Sequence, residues 1–130
     1  MKTKAQVSVE FLIVLTILFG ILLLSTAIFG SNTRDLALIK QGEEAKIIAH
    51  NTGRTINAIY LAGSGSSTQI VFEQSFDYNV LVENNAVRIE WETQFSDSPL
   101  LTDNIIFGEI SPGSTARVWN DNGVVKIEKL

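Results

Sequence analysis

From Val7 to Phe29 this chain runs 23 residues with a single ionisable side chain, Glu10. As a helix rising about 1.5 Å per residue, the run reaches about 35 Å, enough to cross a hydrocarbon core of about 30 Å. It is apolar on every side, as expected of a helix surrounded by lipid or by other apolar helices. An ionised carboxylate in such a run is costly unless it is paired or reaches the interface, so Glu10 calls for a partner.

The flanks orient the run. Lys2 and Lys4 precede it, and Gly30-Ser31-Asn32-Thr33-Arg34-Asp35 follows. By the positive-inside tendency the first residues stay in the cytoplasm and the chain beyond about Gly30 lies outside, with Arg34 and Lys40 diluting the bias. A secretory signal peptide has an apolar region of about 7–15 residues and a small-residue cleavage site on its far side. Here the run is longer, and the small residue Ala5 lies on the near side, beside the lysines. A cut between Ala5 and Gln6 removes only the basic leader and leaves the hydrophobic helix attached.

Gln6-Val7-Ser8-Val9-Glu10 followed by an aliphatic stretch resembles the class III signal peptide of archaeal type IV pilin precursors. The pattern of that family is Gln, any residue, Ser, any residue, Glu, then three residues and Leu. Val14 stands in the Leu position, with Leu15 one later. The resemblance covers only about the first 15 residues. It implies cleavage by a prepilin peptidase before Gln6, with Ala5 and Gln6 forming the processing site and Gln6, Ser8 and Glu10 the motif for processing and assembly. It also implies as partners a membrane platform protein, a cytoplasmic assembly ATPase and further copies of the chain in a helical homopolymer, with adhesion as the usual purpose of the filament. The precursor is then expected in the cell membrane with its amino terminus cytoplasmic, and the mature protein in an extracellular surface filament.

A cut before Gln6 makes Glu10 the fifth residue of the mature chain, about one helical turn from the new α-amine. That amine has a reference pKa of about 7.7–8.0 and is largely charged at neutral pH. Between copies stacked with a small axial stagger, carboxylate and amine meet in apolar surroundings, where a pair is strongly preferred over two lone charges. An amino-terminal Gln that cyclises to a pyroglutamyl end loses the amine, and with it this pairing. The alternative for Glu10 is a snorkelling acid at the cytoplasmic interface.

Gly20 and Gly30 lie ten apart, so they form no small-xxx-small helix-pair motif. Helix can continue through Asp35–Gln41, with Gly42 as the expected stop. Residues 43–130 alternate as strands do. Val87, Ile89 and Trp91 fall on one face and Arg88, Glu90 and Glu92 on the other, and similar runs occur at 45–50, 55–61, 68–73, 78–83, 104–110, 115–119 and 124–129. Asn51-Thr52-Gly53, Gly63–Ser67, Asn84-Asn85, Ser111-Pro112-Gly113 and Asp121-Asn122-Gly123 supply turn signals. The expected fold is α+β: a leader (1–5), a hydrophobic helix (6–42) and a small antiparallel β-sandwich of immunoglobulin-like type (43–130). Its core is expected to draw on Ile47, Ile59, Ile70, Phe72, Val80, Val82, Val87, Ile89, Trp91, Ile106, Val118, Val125 and Ile127.

Composition points away from several functions. The 14 acidic and 10 basic side chains become 14 and 8 once Lys2 and Lys4 leave with the leader. Such a balance lacks the basic stripe that nucleic acid requires. Without cysteine there are no disulfides, so packing must hold the β domain. No Asn-x-Ser/Thr sequon is present.

Catalysis is not expected. His50 is the lone histidine, read as a strand-to-turn residue without a nucleophile motif beside it. Glu90 and Glu92 read as a solvated strand face, and Gly63–Ser67 lacks the Lys and following helix of a phosphate loop. Asp97, Asp103 and Asn104 around the 96–103 loop offer oxygens to calcium, but fewer than the six to eight it takes, and no metal or cofactor is expected. The apolar pair Leu100-Leu101 in that loop is a candidate subunit contact. Two alternatives to a major filament subunit remain open at the level of sequence: a minor pilin or pseudopilin, and a permanently anchored single-span protein whose β domain binds a ligand.

Overall fold

The computed structural model describes the backbone of residues 2–130 and the side chains of residues 6–30 and 33–130. The Ala5 side chain, part of the expected processing site, lies outside the described residues. The chain is α+β, and it divides after Ile39 into two compact units.

Helix α1 (Lys2–Ala62) makes up all of the first unit that is described and continues into the second. The hydroxyls within the apolar run bond back to the helix's own carbonyls: Thr16 Oγ1 donates to Leu12 O at 2.8 Å, Ser25 Oγ to Ile21 O at 2.9 Å and Thr26 Oγ1 to Leu23 O at 2.9 Å. Polar side chains satisfied in this way are compatible with hydrocarbon surroundings. The helix is long and apolar enough to cross a membrane.

In the second unit the rest of α1 buries a stripe of Ala45, Ala49, Thr52, Gly53, Ile56 and Ile59, the spacing of one helical face. Gly42 does not end the helix, and the runs at 45–50 and 55–61, expected as strands, are both helical. His50 and the Asn51-Thr52-Gly53 signal therefore lie mid-helix. Gly53 serves packing here: a Cβ on it would stand 2.5 Å from Ser98 Oγ and 3.0 Å from Ser98 Cβ. The true stop comes at Gly63, with φ of 84°, a left-handed conformation that glycine adopts without penalty. Buried Asn120 closes the helix end by donating from Nδ2 to Ile59 O and Tyr60 O, both at 3.3 Å.

Seven strands follow: β1 (Ser67–Val71), β2 (Asn79–Glu83), β3 (Ala86–Trp91), β4 (Gln94–Pro99), β5 (Ile105–Phe107), β6 (Thr115–Asp121) and β7 (Val124–Lys129). They form a four-stranded sheet of order β1-β6-β7-β5 and a three-stranded sheet of order β2-β3-β4. β5 runs parallel to β7, a departure from the all-antiparallel expectation. Asn84-Asn85, with φ of 51° and 57°, and Asn122-Gly123, with φ of 54° and 89°, make the two-residue hairpin turns that impose positive φ at both positions. Gly63–Ser67 joins helix to β1 and is no hairpin tip.

One core joins the helix stripe to both sheets through Phe72, Val80, Val87, Ile89, Trp91, Ala116, Val118, Val125 and Ile127. Two expected core residues are instead exposed, Ile47 at 56% and Ile106 at 57%. Ile47 follows its neighbours into the helix, where the inward stripe passes through Ala45 and Ala49. Of the pair Leu100-Leu101, only Leu101 faces solvent.

Candidate functional site

The residues of the expected processing and assembly motif lie in the first turns of α1. Gln6 and Glu10 fall on the same face, four apart, and Gln6 Nε2 donates to Glu10 Oε1 at 3.4 Å. Among the described residues this is the one hydrogen bond to the carboxylate, and it is long for N–H···O. Glu10 thus keeps most of its acceptor capacity free, on a helix whose large apolar side chains from Val7 to Phe29 are 51–71% exposed. Such a surface is compatible with lipid surroundings or with packing against other apolar helices.

The other residues weighed for chemistry lie in the second unit. His50 is exposed on α1, in a shallow groove with Arg54, Asn57, Ser98 and Pro99. Among the described residues no group of three or more His, Asp or Glu stands where it could hold a metal ion. Asp97, expected in a loop, is a β4 residue, and both of its carboxylate oxygens are taken by Arg88: Nε to Oδ1 at 2.8 Å and Nη2 to Oδ2 at 3.0 Å. That fork holds the Asp97 carboxyl below the usual carboxylate range, and the Asp97 hydrogen bond in turn raises the Arg88 guanidinium. Glu92 is not on the β3 face with Glu90, because it occupies the β3–β4 turn with φ of 48°.

An open cleft of about 420 Å³ is lined by Asp77, Tyr78, Glu90, Trp91, Glu92 and Pro112. Tyr78 Oη donates to Glu73 O at 2.9 Å, and burial together with the Glu73 charge pushes the phenol up to about 12. It therefore stays protonated across physiological pH and serves as a structural donor. The Arg88 network on the second sheet and the helix that covers part of its core were not foreseen from sequence. The i, i+4, i+7, i+11, i+14 buried stripe from Ala45 to Ile59 was the available signal for the helix.

No family model, curated protein or solved structure matches the chain.

Proposed function

We propose that this chain is a structural subunit of an extracellular type IV pilus-like filament of the archaeal kind. In this reading it is inserted in the membrane as a precursor, cut before Gln6 by a prepilin peptidase, and assembled through its amino-terminal helix with the help of a platform protein and an ATPase. The carrying observation is the combination at the start of α1: an exposed apolar surface and a single carboxylate whose one hydrogen bond among the described residues comes from Gln6. Lipid can cover the apolar surface in the precursor, and identical helices can cover it in the filament. The new α-amine of a neighbouring copy is a partner for Glu10 of the right charge. The role is assembly and adhesion, without catalysis. The globular part is read as an immunoglobulin-like sandwich, which its short strands in two sheets sharing one core support.

The processing step gives the test. Native chain is expected in material sheared from cells, shortened by the leader. Ala5→Phe should leave a full-length precursor in membranes and none in the sheared fraction, read by size on a gel. A shortened Ala5→Phe chain would count against the cut assigned here, and native chain confined to membranes at full length would favour a permanently anchored protein.

A further inference from the structure

Charge is divided unevenly along the second unit. Residues 73–103 carry seven acidic side chains and one basic, Arg88, whereas residues 45–72 carry Lys46 and Arg54 and no acid. Strand register places Leu81, Arg88 and Asp97 in one row across the outer face of the second sheet, and Asn79, Glu90 and Phe95 in the next. Arg88 is fully engaged there: besides the Asp97 fork, it bonds Glu83 at 2.9 Å, lies 4.0 Å from Glu90 and stacks 4.5 Å from the Phe95 ring centroid. One cation shared among three carboxylates leaves the face acidic, with Phe95 60% and Leu81 38% exposed. Asp77 and Glu92 add two more acids at its edge, neither in an ion pair among the described residues.

The exposed side of α1 in the same unit is the complement. Lys46, His50 and Arg54 stand four residues apart along one exposed line, flanked by the exposed apolar residues Ile47 and Leu61. Among the described residues neither Lys46 nor Arg54 is in an ion pair, so the acidic sheet of the same copy does not neutralise them. We infer that the basic 46–61 face of one copy docks on the acidic outer face of the second sheet of another copy. Two different faces meeting in this way make a heterologous contact, which repeats from copy to copy as an open chain wherever its rotation does not close a ring. Complementary charge sets the register and the apolar side chains fill the seam. The contact deepens the filament reading and rests on it for bringing many copies side by side.

The chain has no cysteine, so a single introduced pair reports this contact cleanly. Ala58→Cys on the helix face and Asn79→Cys on the sheet face are placed in separate tagged copies of the full chain. Both are treated with a short bismaleimide, in membranes and in sheared material. Cross-links between 58 and 79 are expected, with yield falling as salt is raised. Adding Lys46→Glu and Arg54→Glu to the first copy should lower the yield about tenfold or more. Adding Glu90→Lys and Glu92→Lys to the second copy should then restore it. Absence of the 58–79 link, dominance of 58–58 or 79–79 links, or a yield indifferent to charge reversal would each overturn the contact. The amino-terminal cut, read on the same samples, reports separately on the filament reading.

Discussion

Glu10→Gln is expected to abolish filaments while leaving the leader cut intact. The substitution keeps the size of the side chain and its capacity to accept from Gln6 Nε2, which now donates at 3.4 Å. What it removes is the charge. In apolar surroundings the attraction between a carboxylate and an α-amine is worth far more than in water, and losing one partner leaves the other buried and uncompensated, at a cost of about 3–5 kcal/mol. Repeated at every subunit, a loss of that size is enough to stop polymerisation. The peptidase acts on the bond before Gln6, which this change leaves in place, so shortened chains should accumulate in membranes. Filaments of normal number and length from Glu10→Gln would remove the pairing from the account.

Gly53→Leu is expected to destabilise the globular unit by about 1–3 kcal/mol, the range for forcing extra volume into a packed seam. Helix propensity alone predicts the opposite sign, since replacing glycine within a helix gains up to about 1 kcal/mol. Packing wins because even the first added carbon falls 3.0 Å from Ser98 Cβ, and rotating the Ser98 hydroxyl away does not move that atom. Gly42→Ala is the matched control. Its Cβ meets only Trp91 Cζ2, at 3.8 Å, an ordinary contact, so propensity should raise stability there. Denaturant midpoints of the full-length variants in detergent provide the comparison. Tolerance of Gly53→Leu would contradict the close approach of α1 to β4.

The same glycine shows why part of the fold was hidden in the sequence. Asn51-Thr52-Gly53 has the composition of a turn, and Ile47, Ile48, Thr55, Ile56 and Ile59 favour strands locally. The segment is helical because Ala45, Ala49, Thr52, Ile56 and Ile59 bury one stripe against the sheets, and tertiary packing overrides such propensities. β4 escaped notice for the opposite reason. Gln94–Pro99 is polar, ends in proline and buries only Ser98, as an edge strand can. The parallel pairing of β5 with β7 depends on three residues and leaves no local mark.

Where the signal was local, it was legible. β7 occupies the expected 124–129, and the Asn84-Asn85 and Asn122-Gly123 turns lie where their residue types demanded them. Glu10 is conspicuous for a related reason: one charge in the 23 residues from Val7 to Phe29 needs no tertiary context to stand out. The acidic sheet face and basic helix face were not readable, because both depend on the register of β2, β3 and β4 and on residues 46–61 being helical.

The central claim is that this chain loses its leader and joins a filament, and the mass of its amino-terminal peptide tests that most directly. The peptide should be taken separately from sheared surface material and from membranes. A chain beginning at Gln6 in the sheared material is the expected result, and its mass also distinguishes a free amine, able to pair with Glu10, from a pyroglutamyl end. A chain that retains Met1 or Lys2 and stays wholly in membranes would contradict the account.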